Sequence, residues 1–434
     1  MSELFAQRRP PKSPPNLAVT IADADLGEIG YLVIDRTVNG SASGGIRFTP
    51  DVSVEELSSL AMAMTYKWAF LNVPMGGAKA GIFAVPEELK CERSELMAAF
   101  GRGMKSLVTK GVYFPGIDLG TTLDDLYAIM EGAGRPLVGE QIDGSYATAL
   151  TVFETARQVV KYSQKDLSGV SVAIEGFGKV ASVVAELLAD SGATIVGIST
   201  IEGSISSNSG LDIQKLLELK KEYGDHLVHH YPSGELNESG KLYSLDVELL
   251  IPGATPRVIN EGNVRQIQAK WIVPIANAPA TREAEEILDG MGILFVPDFV
   301  ANYGGILSSA MRGENFDLED VRYLVETTFS DLVYALLQAS DLRGESFRDF
   351  VRLVTWQNHL KLSDPNKKIP GMRDRIPQLF KDKDWQGIKR RIGYRIHQRN
   401  SASNGVFHQS ALERYAELTL GSMFDLLESI KNHS

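Results

Sequence analysis

Residues Ser168–Thr200 read SGVSVAIEGFGKVASVVAELLADSGATIVGIST. Val170–Ile174 is the short, β-branched apolar run of a buried strand. Gly176, Gly178 and Ala181 follow as G-x-G-x-x-A. Val183, Val184, Leu187 and Leu188 then recur at helical spacing, Gly192 stops the helix, and Thr194–Ser199 forms a second strand. Strand, glycine turn, helix and strand in one short unit predict a parallel α/β sheet that binds a dinucleotide. Gly176 permits the tight turn, Gly178 lets the backbone approach a pyrophosphate, and Ala181 keeps the helix close to the strand. Phe177, Lys179 and Val180 complete the turn, and the helix N-terminus stabilises the phosphate charge. The second strand of such a unit usually ends in an acidic residue that holds the ribose 2′-hydroxyl. Ser199 and Thr200 stand there instead, with Glu202 just beyond. Neither hydroxyl repels a 2′-phosphate and Lys179 lies in the turn, so the expectation leans to NADP over NAD, with Glu202 able to restore NAD preference.

The chain has 434 residues, enough for two or three domains with full cores. Hydrophobic residues make up 44% and charged residues 23%, a globular balance. A net charge of −11 argues against a nucleic-acid binder or a membrane-surface protein. No apolar run is long enough to span a bilayer. The opening MSELFAQRRPPKSPPN lacks the apolar core of a signal peptide, and its prolines predict an extended arm. A single cysteine, Cys91, excludes an internal disulfide and fits a reducing cytoplasm. The histidines are scattered, with His229 and His230 adjacent, and show no metal-ligand pattern, so no metal is expected.

Upstream, IGYLVIDRTV reads as a strand and SVEELSSLAMAMTYKWAF as a helix with Leu57, Leu60, Ala61, Met64 and Trp68 on one face. Ser53 and Glu56 predict a capping box at its start. Lys67 lies at the edge of that face, where it either snorkels to solvent or reaches a ligand. PMGGAKAGI, from Pro74 to Ile82, sets one charge, Lys79, among small residues. It reads either as a glycine-rich turn with a solvated lysine or as a desolvated lysine whose lowered pKa suits it to act as a base. ATALTVFETARQVVKYSQ is a helix leading into the dinucleotide unit. Downstream, DVELLIPGA, KWIVPIANAP and GILFVPDFVANYGGI each predict a strand followed by a loop. Asn277 and Asn302 lie in those loops, either as turn residues or as ligand contacts. The region beyond residue 310 is mostly helical. Residues 367–399 are basic and broken by prolines, read as a solvated surface, an anion site or a subunit contact. ALERYAELTLGSMFDLLESI closes the chain as an amphipathic helix.

Several of these stretches occur in one order: GGIRF (Gly44–Phe48), MTYKWA (Met64–Ala69), PMGGAKAGI, GIDLGTT (Gly116–Thr122), GFGKVA, IANAP and VPDFVANYGGI. In this the sequence resembles the glutamate/leucine/phenylalanine/valine dehydrogenases from about residue 40 to residue 310. The resemblance implies an α/β protein of two domains, with residues 1–148 as a substrate-binding and oligomerisation domain. Residues 149–310 are then a Rossmann-type NAD(P)-binding domain, and 311–434 a helical region packing across the two. It implies reversible oxidative deamination of an L-amino acid to a 2-oxo acid and ammonia, a small-molecule substrate and a homo-oligomer. Carried over by motif, Lys67 is the α-carboxylate ligand, Lys79 the catalytic lysine and Asp118 the proton shuttle. Thr148, Ala276 and Asn277 are cofactor contacts, while Asn302, Ser309 and Gly45 line the substrate site.

Glutamate-specific members carry a lysine just before the Gly-Gly of GGIRF to pair with the substrate side-chain carboxylate, and Ser43 stands there in this chain. An unpaired buried carboxylate costs several kcal/mol, so the expected substrate is a non-acidic amino acid, unless Arg47 or Arg312 substitutes for the missing cation. Ala80 replaces the more usual glycine after the catalytic lysine. The alternatives are a glutamate dehydrogenase proper, a nicotinamide dehydrogenase acting on another substrate, or a non-catalytic nucleotide-binding relative serving as a regulatory subunit. Retention of Lys67, Lys79 and Asp118 together speaks against the last.

Overall fold

Two sheets organise the chain. The structure, a computed structural model, describes residues 14–83, 91–137, 144–310, 318–364 and 366. The N-terminal arm, Arg312, the basic segment 367–399 and the last predicted helix lie almost wholly outside these residues. The first sheet is built from β1 (Leu17–Asp23), β2 (Gly27–Ile34), β3 (Ala42–Phe48), β4 (Gly76–Ile82) and β5 (Tyr113–Ile117), in the order β1-β2-β4-β3-β5. Its β1–β2 and β2–β4 pairs are antiparallel, whereas β3 runs parallel to both β4 and β5. Helix α1 (Val54–Phe70) covers one face, while α2 (Arg93–Thr109) and α3 (Leu123–Gly132) bury the other with Leu32, Ile46, Ala78, Ala80 and Phe100.

Helix α4 (Gly144–Tyr162) leads into the second sheet, and β6 (Ser171–Glu175), α5 (Lys179–Asp190) and β7 (Thr194–Thr200) realise the expected unit. There follow β8 (Gly203–Ser206), α6 (Ile213–Tyr223), α7 (Leu227–His230), β9 (Glu235–Asn237), β10 (Leu249–Pro252), β11 (Trp271–Ile272), α8 (Arg282–Gly290) and β12 (Leu294–Phe295). The order is β12-β11-β10-β6-β7-β8-β9, parallel from β12 through β7 and antiparallel at β8 and β9. The chain leaves β6 toward β7 on one side and returns to β10 on the other. A ligand crevice belongs outside the carboxyl ends of the strands at such a switch point.

The remaining helices are α9 (Asp298–Ala301), α10 (Gly304–Ala310), α11 (Leu318–Leu324), α12 (Ser330–Leu342) and α13 (Phe347–Leu362). Helix α12 returns to α4, where Gln158 donates to Ser330 Oγ at 2.5 Å. Helix α13 reaches α1, where Asn358 Nδ2 donates to the Ala69 carbonyl at 2.6 Å. The last turns of α1 are therefore buried nearly all round. Tyr66 stacks on Phe299, and Phe70 packs on Tyr303 and Phe329. Among the described residues no helix is long and apolar enough to cross a membrane.

Four local expectations change. PMGGAKAGI is not a turn: Gly76–Ile82 is the buried central strand β4. The loop expected around Asn302 is largely helical, as α9 and α10. The predicted strands at 270 and 294 shrink to two residues each. Ser53 does cap α1 by accepting from the Glu56 amide at 3.2 Å, but the Glu56 carboxylate pairs with Arg47. A local cap gives way there to a stronger charged partner.

Candidate active site

Strand β4 can be so poor in large side chains because its neighbours press on its backbone. A Cβ on Gly77 would lie 2.1 Å from the Thr65 amide nitrogen of α1, and one on Gly81 would lie 2.4 Å from Val52. Gly77, Lys79 and Gly81 alternate onto the α1 face, while Ala78, Ala80 and Ile82 enter the opposite core. Lys79 is thus the one long side chain on a face cleared by glycine. It is 4% exposed, and its Nζ lies 2.8 Å from Asp118 Oδ1. On β3, Ser43, Gly45 and Arg47 share that face. A Cβ on Gly45 would crowd Asp118 Cβ at 2.9 Å, so the glycine lets the carboxylate approach. Arg47 Nε donates to Asp118 Oδ2 at 3.0 Å, and its Nη1 pairs with Glu56. The Asp118 amide donates to Thr121 Oγ1 at 2.8 Å, and that hydroxyl donates in turn to Ile46 O at 2.8 Å, fixing the loop. Burial pushes the Asp118 carboxyl up, but Lys79 and then Arg47 outweigh it and hold it below the usual carboxylate range. Ser43 Oγ donates to the Phe114 carbonyl at 2.9 Å.

The second sheet supplies the facing wall. Lys67, 5% exposed on α1, donates from Nζ to Asn277 Oδ1 at 2.6 Å. Burial lowers its pKa to about 8, with Asp298 opposing and Lys79 reinforcing the shift. Asn302 Nδ2 donates to Ile275 O at 2.8 Å and to Ala276 O at 3.2 Å, with Asn277 Oδ1 at 3.4 Å. Asn302 Oδ1 is buried without a protein partner. Asp298 Oδ2 accepts from the Ala278 amide at 3.0 Å, holding Ala278 at φ 45°. Asn277 and Asn302 are therefore one unit that meets Lys67 across the interface. Thr148 lies half-buried on α4 with Oγ1 donating to Gly144 O at 2.7 Å, beside Gly305. Ser309 is exposed on α10.

At the glycine turn Gly176 has φ 78°, and Gly178 caps α5 with no side-chain bond and no atom within 4 Å of where a Cβ would stand. This open helix start suits a pyrophosphate. Lys179 is exposed and Val180 half-buried beside it. Phe177 differs from expectation: its ring is 1% exposed and belongs to the core. The Gly176 and Phe177 amides are already taken, by Ser199 Oγ at 3.2 Å and Ser199 O at 2.8 Å. Thr200 Oγ1 likewise donates to Asp225 O at 2.8 Å. Both hydroxyls named for ribose selection are thus engaged within the protein, and Glu202 stands just past β7 with its Oε2 3.5 Å from His226 Nδ1.

The family model described as Glutamate/Leucine/Phenylalanine/Valine dehydrogenase matches residues 139–344, and that of the Glu/Leu/Phe/Val dehydrogenase dimerisation domain matches residues 18–133. The chain belongs to this family. It is an NAD(P)-dependent amino-acid dehydrogenase acting on CH–NH2 donors. Among relatives, a glutamate dehydrogenase of Thermotoga maritima is 35% identical over 321 residues, 68% of this chain and 76% of that one. An NADP-specific glutamate dehydrogenase of Saccharolobus shibatae is 34% identical over 66% of this chain and 71% of its own length. An NAD-specific one of Staphylococcus aureus is 34% identical over 71% and 80%. In structure, the hetero-hexameric glutamate dehydrogenase of Thermus thermophilus, in a leucine-bound form, superposes with a TM-score of 0.70 at 25% identity, over 81% of this chain and 90% of that one. L-tryptophan dehydrogenase of Nostoc punctiforme shares the fold with a TM-score of 0.59 at 24% identity, over 83% and 99%.

In this dehydrogenase three residues join the site that the sequence reading did not place there. Arg47 stands inside GGIRF, where the sequence offers it only as a substitute cation. Period-2 alternation on a strand would have set it beside the Lys79 face. Asp298 stands inside VPDFVANYGGI, four residues before Asn302, one helical turn away. Glu175 ends β6 just before the glycine turn. Its Oε2 accepts from the Gly253 and Ala254 amides at 2.8 and 2.7 Å, tying β10 to β6 at the switch point, and burial raises its pKa. A glutamate closing a buried strand was the available signal.

Proposed function

We propose that the enzyme carries out reversible oxidative deamination of a neutral L-amino acid to its 2-oxo acid and ammonia. Amino acid, NAD(P)⁺ and water give 2-oxo acid, ammonium, NAD(P)H and a proton. Residues 1–148 hold the substrate and 149–310 the dinucleotide, and within 311–434 the described helices α12 and α13 pack on α4 and α1. The Lys79–Asp118 pair, facing Lys67, carries the reading. Lys67 takes the α-carboxylate. Asp118, kept ionised by Lys79 and Arg47, takes a proton from the substrate amino group. A bound nicotinamide would supply the acceptor for the Cα hydride. Water then attacks the resulting iminium carbon, and Lys79 holds the oxygen while Asp118 moves the second proton. Asn277, Asn302, Ala276 and Thr148 order the junction between substrate and nicotinamide. The open start of α5 receives the pyrophosphate, and the cofactor is NAD or NADP, with Glu202 as a candidate acceptor for the NAD 2′-hydroxyl. A homo-oligomer in the cytoplasm completes the proposal.

The neutral substrate rests on Ser43 and Arg47. Ser43 offers no charge and its hydroxyl is spent on Phe114 O, while Arg47 is committed to Asp118 and Glu56. A glutamate side chain entering beside them would lack a partner. Glutamate is the second reading, favoured by the names of the Thermotoga, Saccharolobus and Staphylococcus relatives. Ser43→Lys separates the two. It should raise kcat/KM for glutamate relative to leucine by about tenfold or more, since restoring a partner for one buried charge exceeds ~1.4 kcal/mol. An unchanged ratio would remove Ser43 from the side-chain pocket.

A further inference from the structure

Outside the catalytic cleft, three potential ligands from separate segments converge at the end of β7. Glu202 lies in the β7–β8 turn, His226 ends the 3₁₀ turn Gly224–His226, and His229 lies one helical turn further on in α7. Glu202 Oε2 is 3.5 Å from His226 Nδ1, and one ligand atom from each residue falls within 4.8 Å of the others. We propose that Glu202, His226 and His229 form a binding site for a divalent transition metal of the zinc class.

The backbone under these side chains is held, although the side chains themselves are exposed. Thr200 Oγ1 donates to Asp225 O at 2.8 Å and accepts from the Glu202 amide at 3.1 Å, pinning both ligand segments to one hydroxyl. Leu227 and Val228 are buried and anchor α7. His230 takes no part, because its ring stacks on Tyr223 with centroids 3.7 Å apart. Zinc bonds to nitrogen and oxygen of about 2.0–2.1 Å place tetrahedral ligands about 3.3 Å apart. The Glu202–His226 pair already meets that spacing, and His229 requires only rotation of an exposed side chain. Two imidazoles and one carboxylate favour zinc, cobalt or nickel over magnesium or calcium. The remaining positions stay open to water or ligand.

The site lies where the dinucleotide ribose is expected, a consequence that rests on the proposed cofactor reading. A metal that takes the Glu202 carboxylate removes the acceptor for the NAD 2′-hydroxyl and presents a cation to a 2′-phosphate. Zinc should therefore raise the NADP-to-NAD affinity ratio. The test is calorimetric titration of zinc into the untagged, chelator-stripped full chain, with cobalt absorption as a second readout. One zinc per chain is expected, weakened at least about tenfold in His226→Ala, His229→Ala and Glu202→Gln and unchanged in His230→Ala. Absence of binding, or binding untouched in the His226→Ala/His229→Ala variant with unaltered circular dichroism, overturns the site. Fluorescence titrations with NAD and NADP follow. A ratio that rises at least about fivefold with zinc in the wild type, but not in His226→Ala, supports the coupling, and a fixed ratio refutes it. Failure of the cofactor reading would show differently, as no binding of either dinucleotide while zinc still binds.

Discussion

Asp118 sits between two cations, Lys79 at 2.8 Å and Arg47 at 3.0 Å, and that placement sets what it can do. A carboxylate held ionised accepts protons quickly but must be close enough to the substrate to do so, and Gly45 clears the approach. Asp118→Asn keeps the shape and removes the acceptor. It should lower kcat at least ~10²-fold while cofactor affinity stays within about twofold. Near wild-type turnover with an unshifted pH–rate profile would make Asp118 structural. Lys67 makes a separate prediction, because burial lowers its pKa to about 8. In the proposed reaction its protonated form binds the α-carboxylate, so that attraction is present below pH 8 and fades as pH rises through it. KM for the amino acid should therefore climb above pH 8, by up to about tenfold per unit. Steady-state kinetics between pH 6.5 and 9.5 check this, and a KM that falls over that range would assign the carboxylate to another group.

Strand β4 shows how an element can be legible in composition and misread in form. Glycines and alanines around one lysine suggest a turn when only propensity is considered. The strand forms because β2 and β3 flank it and α1 lies so close that no Cβ fits at Gly77. These are contacts between residues far apart in the chain, and local pattern cannot supply them. The β6–α5–β7 unit was fully legible, since strand, turn and helix there follow from neighbours in sequence. Gly77→Ala should lower stability by about 2–3 kcal/mol, because the intruding methyl meets helix backbone that cannot yield. Gly116→Ala in the same sheet has open space at its Cβ and should cost far less. Urea midpoints of the two variants check the contrast, and equal midpoints would remove close helix packing as the reason for the glycine.

At the scale of the whole molecule, α1 joins the two sheets. Its first half covers the first sheet, and its last turns pack against α9, Phe329 and α13 while Lys67 reaches Asn277. The motifs singled out Lys67, Lys79 and Asp118, which the fold brings together. The links to Arg47, Glu56 and Asp298 were not legible in the sequence, because each crosses between elements brought together only by folding. In the proposed reading the substrate side chain meets what this assembly leaves at Ser43, a hydroxyl already donated to Phe114 O. A side-by-side kinetic comparison of L-glutamate, leucine, valine, phenylalanine and tryptophan with NAD and NADP, followed by nicotinamide absorbance, tests that conclusion most directly. At least one neutral amino acid should exceed glutamate in kcat/KM by about tenfold or more. Glutamate as the best substrate, or no turnover of any of the five with cofactor bound, would contradict it.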